Sequence, residues 1–264
     1  MACTRQGAEV CSLREQSLRH ALQVKPSVRR TQAMRRVRQL VDEVQHRYPA
    51  DRFFDRFAES CAKNPGKLSL YRTYEDAFRW LDPISWATLK RKALAHFRDH
   101  RPGQMKQGFF NQLNDAFAYR HLARRGCDQV RILPETGKQV PDLEYFEGRV
   151  FRSCEVKTLG VSNEEISRRE SREAFSNVYL RLSEGFFNKL RGAIATARSQ
   201  IEAHSGQGLV YLVIISDDFA LDNYRSYRRE LALFARADNV DNVHIRFGLQ
   251  SRLRMRLKGR LTIG

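Results

Sequence analysis

Apolar residues in the first hundred positions recur at helical spacing. Ala33, Met34, Val37, Leu40, Val41 and Val44 lie three or four apart, and Pro26-Ser27 ahead of them is a helix start signal. Phe53 to Cys61 and Tyr74 to Leu81 predict two short helices. Asp82-Pro83 predicts a third start, with Asp as the cap and Pro in the first turn; Trp86, Leu89, Ala93 and Phe97 then share one apolar face. Residues 1 to about 25 are polar and mixed, and loosely ordered chain is expected there.

The pattern changes from Gly108. Phe110, Leu113 and Phe117 form one helical stripe that Gly126 closes. Gln129 to Leu133 alternates as a short strand, and Pro134-Glu135-Thr136-Gly137 is a turn. Val140 to Phe146 and Val150 to Lys157 predict two strands joined at Glu147-Gly148. Residues 162–173 are heavily charged and read as helical. Leu190, Ile194, Ala197 and Ile201 mark a long helix. Leu209 to Ile215 is an unbroken apolar run, the pattern of a buried strand. A helix near 222–236 and a strand from Val243 to Leu249 follow, and 250–261 fits either an edge strand or a basic tail. The expected class is α/β: a helical region over 1–100, a junction at Arg101-Pro102-Gly103, and a mixed α/β domain over 101–264.

Charge adds a partner to this picture. The chain has 47 Lys+Arg against 30 Asp+Glu, a net +17, and arginine dominates the basic set. Guanidinium groups pair well with phosphate, so a surface adapted to nucleic acid is the simplest reading. Arg29, Arg30, Arg35, Arg36 and Arg38 fit a DNA-backbone contact and a solvated helix face equally well. The five cysteines are widely spaced with no CxxC pair, which argues against a zinc site or a disulfide framework. No apolar run near Met1 looks like a signal peptide and none is long enough to span a bilayer, so a cytoplasmic location and no membrane partner are expected.

Candidate chemistry concentrates in residues 141–157. Pro141-Asp142 is followed, after twelve residues, by Glu155-Val156-Lys157. On a strand Glu155 and Lys157 project from one face and Val156 from the other, and the hairpin brings Asp142 within reach. Buried carboxylates need a partner or a metal, and an oxygen-only pair suits Mg²⁺, completed by waters and a substrate phosphate. Lys157 would then assist the attacking water or the transition state. An ordinary Glu/Lys pair on a solvent-facing strand fits the same letters. His96 and His100 have metal-ligand spacing on a helix, but with no third ligand nearby they read as exposed histidines.

Pro141-Asp142 and Glu155-Val156-Lys157, within the order helix, three strands, helix, strand, resemble the signature of the PD-(D/E)XK nuclease superfamily, the restriction-endonuclease-like fold. The resemblance covers residues 108–215. It implies a Mg²⁺-dependent endonuclease acting on DNA in preference to RNA, with Mn²⁺ able to substitute, and a homodimer as a family-level expectation. It implies that Asp142, Glu155 and the Val156 backbone carbonyl bind the metal, with Asp115 on the first core helix as an auxiliary ligand, where the family more often has glutamate. It also implies a polar residue on the helix after the Glu-x-Lys strand; Gln200 is preferred to Lys189, which shares a polar stripe with it and Thr196. Ser153 shares the face of Glu155, and Cys154 points to the core. No phosphate loop of the G-x-x-x-x-G-K-[ST] type, H-E-x-x-H or G-x-S-x-G motif is present. The alternatives are a nucleic-acid-binding module that keeps the fold without catalysis, and a protein-interaction role for the N-terminal helices.

Overall fold

The computed structural model describes residues 34–100, 106–136, 140–160, 181–215, 224–238, 240–247 and 262–263. The expectations for 1–25, the start at Pro26-Ser27, the Arg101–Gly103 junction, the charged segment 162–173 and the segment 250–261 lie outside them. The chain divides into two compact units, Met1–Tyr71 and Arg72–Gly264. The helix after Asp82 lies in the second unit, with the strands.

In the first unit, α1 (Arg35–Arg47) buries Val37, Leu40, Val41 and Val44. The helix expected from Phe53 begins later, as α2 (Phe57–Lys63). Arg56 has φ +50°, a left-handed conformation that cannot lie inside a helix. Phe54 instead packs edge-on against Phe57 and Tyr71. The next helix is α3 (Pro65–Phe78), longer at its start than the expected Tyr74–Leu81. Asn64 Oδ1 accepts from Lys67 N at 2.9 Å ahead of Pro65, so the entrance is capped as the sequence predicts for Asp82-Pro83.

In the second unit, α4 (Pro83–Ala95) is capped by Asp82, whose carboxylate accepts from Ile84 N at 2.8 Å and Ser85 N at 3.0 Å. Trp86, Leu89, Ala93 and Phe97 are buried as expected. The single helix expected after Gly108 is two, α5 (Gln107–Leu113) and α6 (Asp115–Arg124). They part at Asn114, where the turns tighten: Asn114 N bonds Asn111 O and Phe117 N bonds Asn114 O. Leu113 and Phe117 are buried and Phe110 half-buried. Gly126, at φ +81°, ends α6.

The strands are β1 (Asp128–Ile132), β2 (Leu143–Glu147) and β3 (Val150–Leu159), followed by α7 (Glu184–Ser205), β4 (Gly208–Ile214), α8 (Tyr224–Ala237), β5 (Val243–Phe247) and β6 (Thr262–Ile263). They form one mixed sheet in the order β1-β2-β3-β4-β5-β6, antiparallel from β1 to β3 and parallel from β3 to β6. The protein is mixed α/β. From Asp115 to Ile214 its described elements run helix, three strands, helix, strand.

Strand alternation separates two faces. Leu159, Val210, Leu212, Ile214, Val243, Ile245 and Phe247 pack with Leu190, Ile194, Ala197 and Ile201 of α7 and with Leu231 and Phe234 of α8. Burial of each large aliphatic side chain on α7 contributes about 1.5–3 kcal/mol. The opposite face carries Tyr211, His244 and Arg246 against α6. Gly208 permits the start of β4 to sit against β3, since a Cβ there would lie 1.8 Å from Ser153 O.

Candidate active site

The β2–β3 ladder ends at the pair Leu143–Cys154. The expected strand from Val140 is shorter because Pro141 has no N–H to give a ladder. One residue past the last pair, the side chain of Asp142 replaces the backbone acceptor: its Oδ2 accepts from Val156 N at 3.0 Å. The Asp142 carbonyl meanwhile accepts from Leu133 N at 2.8 Å. Asp142 is thus fixed by both neighbours of β2, at the notch where β2 and β3 separate.

Glu155 and Lys157 project from one face of β3, as strand alternation predicts. Lys157 Nζ donates to Glu155 Oε1 at 2.6 Å and to Gln200 Oε1 at 2.7 Å, so α7 contributes Gln200 to the group. Lys189 and Thr196 lie on exposed positions of α7. Glu155 is only 4% exposed, and its Oε2 is buried with no hydrogen-bond partner among the described residues. Burial first, and then the neighbouring Asp142 carboxylate, push Glu155 up to about 7 against the pull of Lys157 and Lys92.

Asp115 opens α6 and is 2% exposed. Its partner is Lys92 of α4, which sequence reasoning missed. Lys92 Nζ donates to Asp115 Oδ2 and to Asp142 Oδ1, both at 2.8 Å, and the lysine is 4% exposed. Burial pulls the Lys92 ammonium towards neutrality, but the two carboxylates outweigh it and hold the group above its usual range. Asp115 is raised well above the ordinary carboxylate range, by burial and then by Asp142, with Lys92 opposing. A signal for Lys92 exists in the sequence: it is seven residues from Ser85 and three from Leu89, on the buried side of its helix.

Five of the expected positions therefore come together: Asp115, Asp142, Glu155, Lys157 and Gln200, with Val156 supplying backbone. Asn114, also unforeseen, braces them. It is fully buried, accepts from Tyr74 Oη at 3.2 Å and donates to Thr158 Oγ1 at 2.8 Å, tying the start of α6 to β3. Ser153 is buried on the Glu155 face, and its Oγ has no partner among the described residues. Cys154 is buried on the opposite face, with its thiol pushed up by burial. His96 is engaged elsewhere: Nδ1 meets Asp99 at 2.5 Å and Nε2 meets Glu135 at 2.9 Å. His100 is exposed.

Three carboxylates face two ammonium groups, so the cluster is one positive charge short when every group is ionised. Burial first, and then that shortage, raise Glu155 and Asp115, and a proton or a cation would relieve the shortage. Among the described residues, no three His, Cys, Asp or Glu side chains gather into a metal-binding group. A cation here would have two protein carboxylates, Asp142 and Glu155, and would draw its remaining oxygens from backbone, water and substrate. That is the donor set Mg²⁺ takes when a phosphate completes its shell, and the unpartnered Glu155 Oε2 fits it. No helix among the described residues is long and apolar enough to cross a membrane. The chain has no significant match to a protein-family model, to a curated protein or to a solved structure.

Proposed function

We propose that the chain is a Mg²⁺-dependent phosphodiester hydrolase acting on nucleic acid, DNA in preference to RNA, built on a restriction-endonuclease-like core. The observation that carries this reading is Glu155 Oε2, a buried carboxylate oxygen without a partner beside Asp142, in a cluster one positive charge short. Asp142 and Glu155 would hold the cation, with the Val156 carbonyl as a further ligand. When bound there, the metal would polarise a phosphoryl oxygen and lower the pKa of a water.

The remaining roles follow from hydrogen bonding. Lys157 is a donor to both Glu155 and Gln200, so it acts as a fixed positive charge. Of its three N–H groups two have these partners, and the third is available to an oxygen of the phosphate as negative charge develops. Gln200 orients Lys157 from α7. Asp142 is prevented from rotating by Val156 N and Lys92, so it need not reorganise when substrate arrives. The +17 charge supplies the long-range attraction for a polyanion.

The test is cleavage of plasmid and oligonucleotide substrates with Mg²⁺, Mn²⁺ or EDTA, beside Glu155→Gln and Lys157→Met. Metal-dependent cleavage should fall by more than about 100-fold in each variant; activity equal to wild type would sink the site assignment.

A second reading is a nucleic-acid-binding module without catalysis. It is favoured by one observation: each carboxylate of the cluster already has an ammonium partner, Lys92 for Asp115 and Asp142 and Lys157 for Glu155. It predicts salt-dependent DNA binding that survives Asp142→Asn, and no cleavage with any metal.

A further inference from the structure

We infer that Lys92 is a built-in cation of the site: it fills the position between Asp115 and Asp142 that a second divalent ion would otherwise take, so the protein binds one divalent cation and not two. This rests on the metal-dependent reading above and adds to it a stoichiometry and a positioning residue.

Asp115 Oδ2 and Asp142 Oδ1 both accept from Lys92 Nζ at 2.8 Å. Asp142 Oδ2 accepts from Val156 N, and Glu155 Oε1 accepts from Lys157. Glu155 Oε2 alone among these oxygens is both buried and without a partner, so the lack of positive charge is localised beside Glu155, not beside Asp115. One divalent cation there takes the fully ionised cluster from −1 to +1, which leaves no excess negative charge to hold a second ion. A second would have to share Asp115 and Asp142 with an ammonium already in contact with both.

Lys92 is also held where it is. It leaves the middle of α4, whose first turn is fixed by the Asp82 cap and whose Trp86, Leu89 and Ala93 are buried. Its side chain is 4% exposed, and an ammonium leaving the buried Asp115 and the half-buried Asp142 would leave them uncompensated. In two-metal phosphodiesterases the second ion stabilises charge on an oxygen of the reacting phosphate. Here a permanent ammonium supplies positive charge on that side of Asp142, and its position does not depend on metal concentration. Lys92 acts through Asp142 and is a positioning residue.

The test is titration with Mn²⁺, the free ion being followed by electron paramagnetic resonance, on wild type, Lys92→Met, Lys92→Arg and the doubly neutral Lys92→Met/Asp115→Asn. Wild type and Lys92→Arg should bind one equivalent, Lys92→Met two, and the double variant one. If Lys92→Met does not fold without metal, thermal unfolding replaces the titration: millimolar Mn²⁺ should restore its fold and raise its Tm further than that of wild type. Two equivalents in wild type overturn the inference. So does one equivalent in Lys92→Met, or an unfolded Lys92→Met that Mn²⁺ does not rescue, while wild type still binds one; the metal-dependent reading then stands without Lys92's role. No Mn²⁺ bound by wild type overturns both.

Discussion

The second unit buries charge in two places, and each is handled differently. Where β2 and β3 part, Asp115, Asp142 and Glu155 meet Lys92 and Lys157, and the charges are kept by pairing. Under α6, His121 lies against His244 at 3.9 Å between ring centroids, His244 stacks on Tyr211 at 4.8 Å, and Arg246 lies over Phe117 at 4.1 Å. In that stack burial, followed by the nearby arginines, pushes His121 down to about 4; burial and His121 hold His244 well below its usual value. The histidines give up their protons and add no charge to the stack. The carboxylate cluster is drawn the same way, with Asp115 and Glu155 raised by burial and by Asp142, but each proton it takes up removes an ion-pair partner from Lys92 or Lys157. A buried group that neutralises itself is a packing element, whereas one that stays charged and under-compensated is a place for a ligand.

The largest expected effect comes from breaking the paired cluster. Lys92→Met leaves the buried Asp115 and the half-buried Asp142 without their cation and should cost about 3–5 kcal/mol, read as a fall in the urea midpoint; Lys92→Met/Asp115→Asn should recover part of it. Next is Asn114→Ala, which strands Tyr74 Oη and Thr158 Oγ1 and should cost about 1–3 kcal/mol. An unchanged midpoint would show that the brace between α6 and β3 is dispensable. A smaller effect is expected in the stack: His244→Phe nearly conserves volume, and its stability at pH 7 should change by less than about 1.5 kcal/mol.

The two places should also respond to pH with opposite sign. Glu155 is raised from an ordinary 4.5 to about 7, so between those values the folded metal-free protein binds more protons than the unfolded chain. Its contribution is fully present below about 4.5 and is lost as pH rises through about 7. His121 is lowered from 6.5 to about 4, so its contribution is present above 6.5 and is lost as pH falls through about 4. The two windows overlap between about 4.5 and 6.5, where the contributions oppose each other; relative to wild type, stability across pH 4 to 8 should rise with pH in Glu155→Gln and fall with pH in His121→Phe. If both variants kept the wild-type profile, the contrast between the two clusters would fail.

The fold was largely legible because its signals are local. The Asp82-Pro83 start, the Gly126 stop and the hairpin turn at Gly148 depend on residues adjacent in the chain, and the face shared by Glu155 and Lys157 follows from strand alternation alone. What was missed is non-local. Lys92 is 23 residues from Asp115 and 50 from Asp142, so its role required knowing that α4 packs beside the sheet. The break at Asn114 follows from contacts with Tyr74 and Thr158, 40 and 44 residues away, which no helical periodicity reports. The Asn64-Pro65 start was readable by the rule that found Asp82-Pro83. Glu155 and Lys157 were recognisable as a pair, but the unpartnered oxygen beside them is visible only with the side chains in place.

In the proposed cation site of Asp142 and Glu155, Lys157 would be a neighbour and not a ligand. Calorimetric titration of the substrate-free protein with Mn²⁺ tests it most directly, comparing wild type with Asp142→Asn, Glu155→Gln and Lys157→Met. Saturable binding in wild type and Lys157→Met, lost in the two carboxylate variants, is the predicted result. Binding of the same strength in all four proteins, or none in wild type, would contradict it.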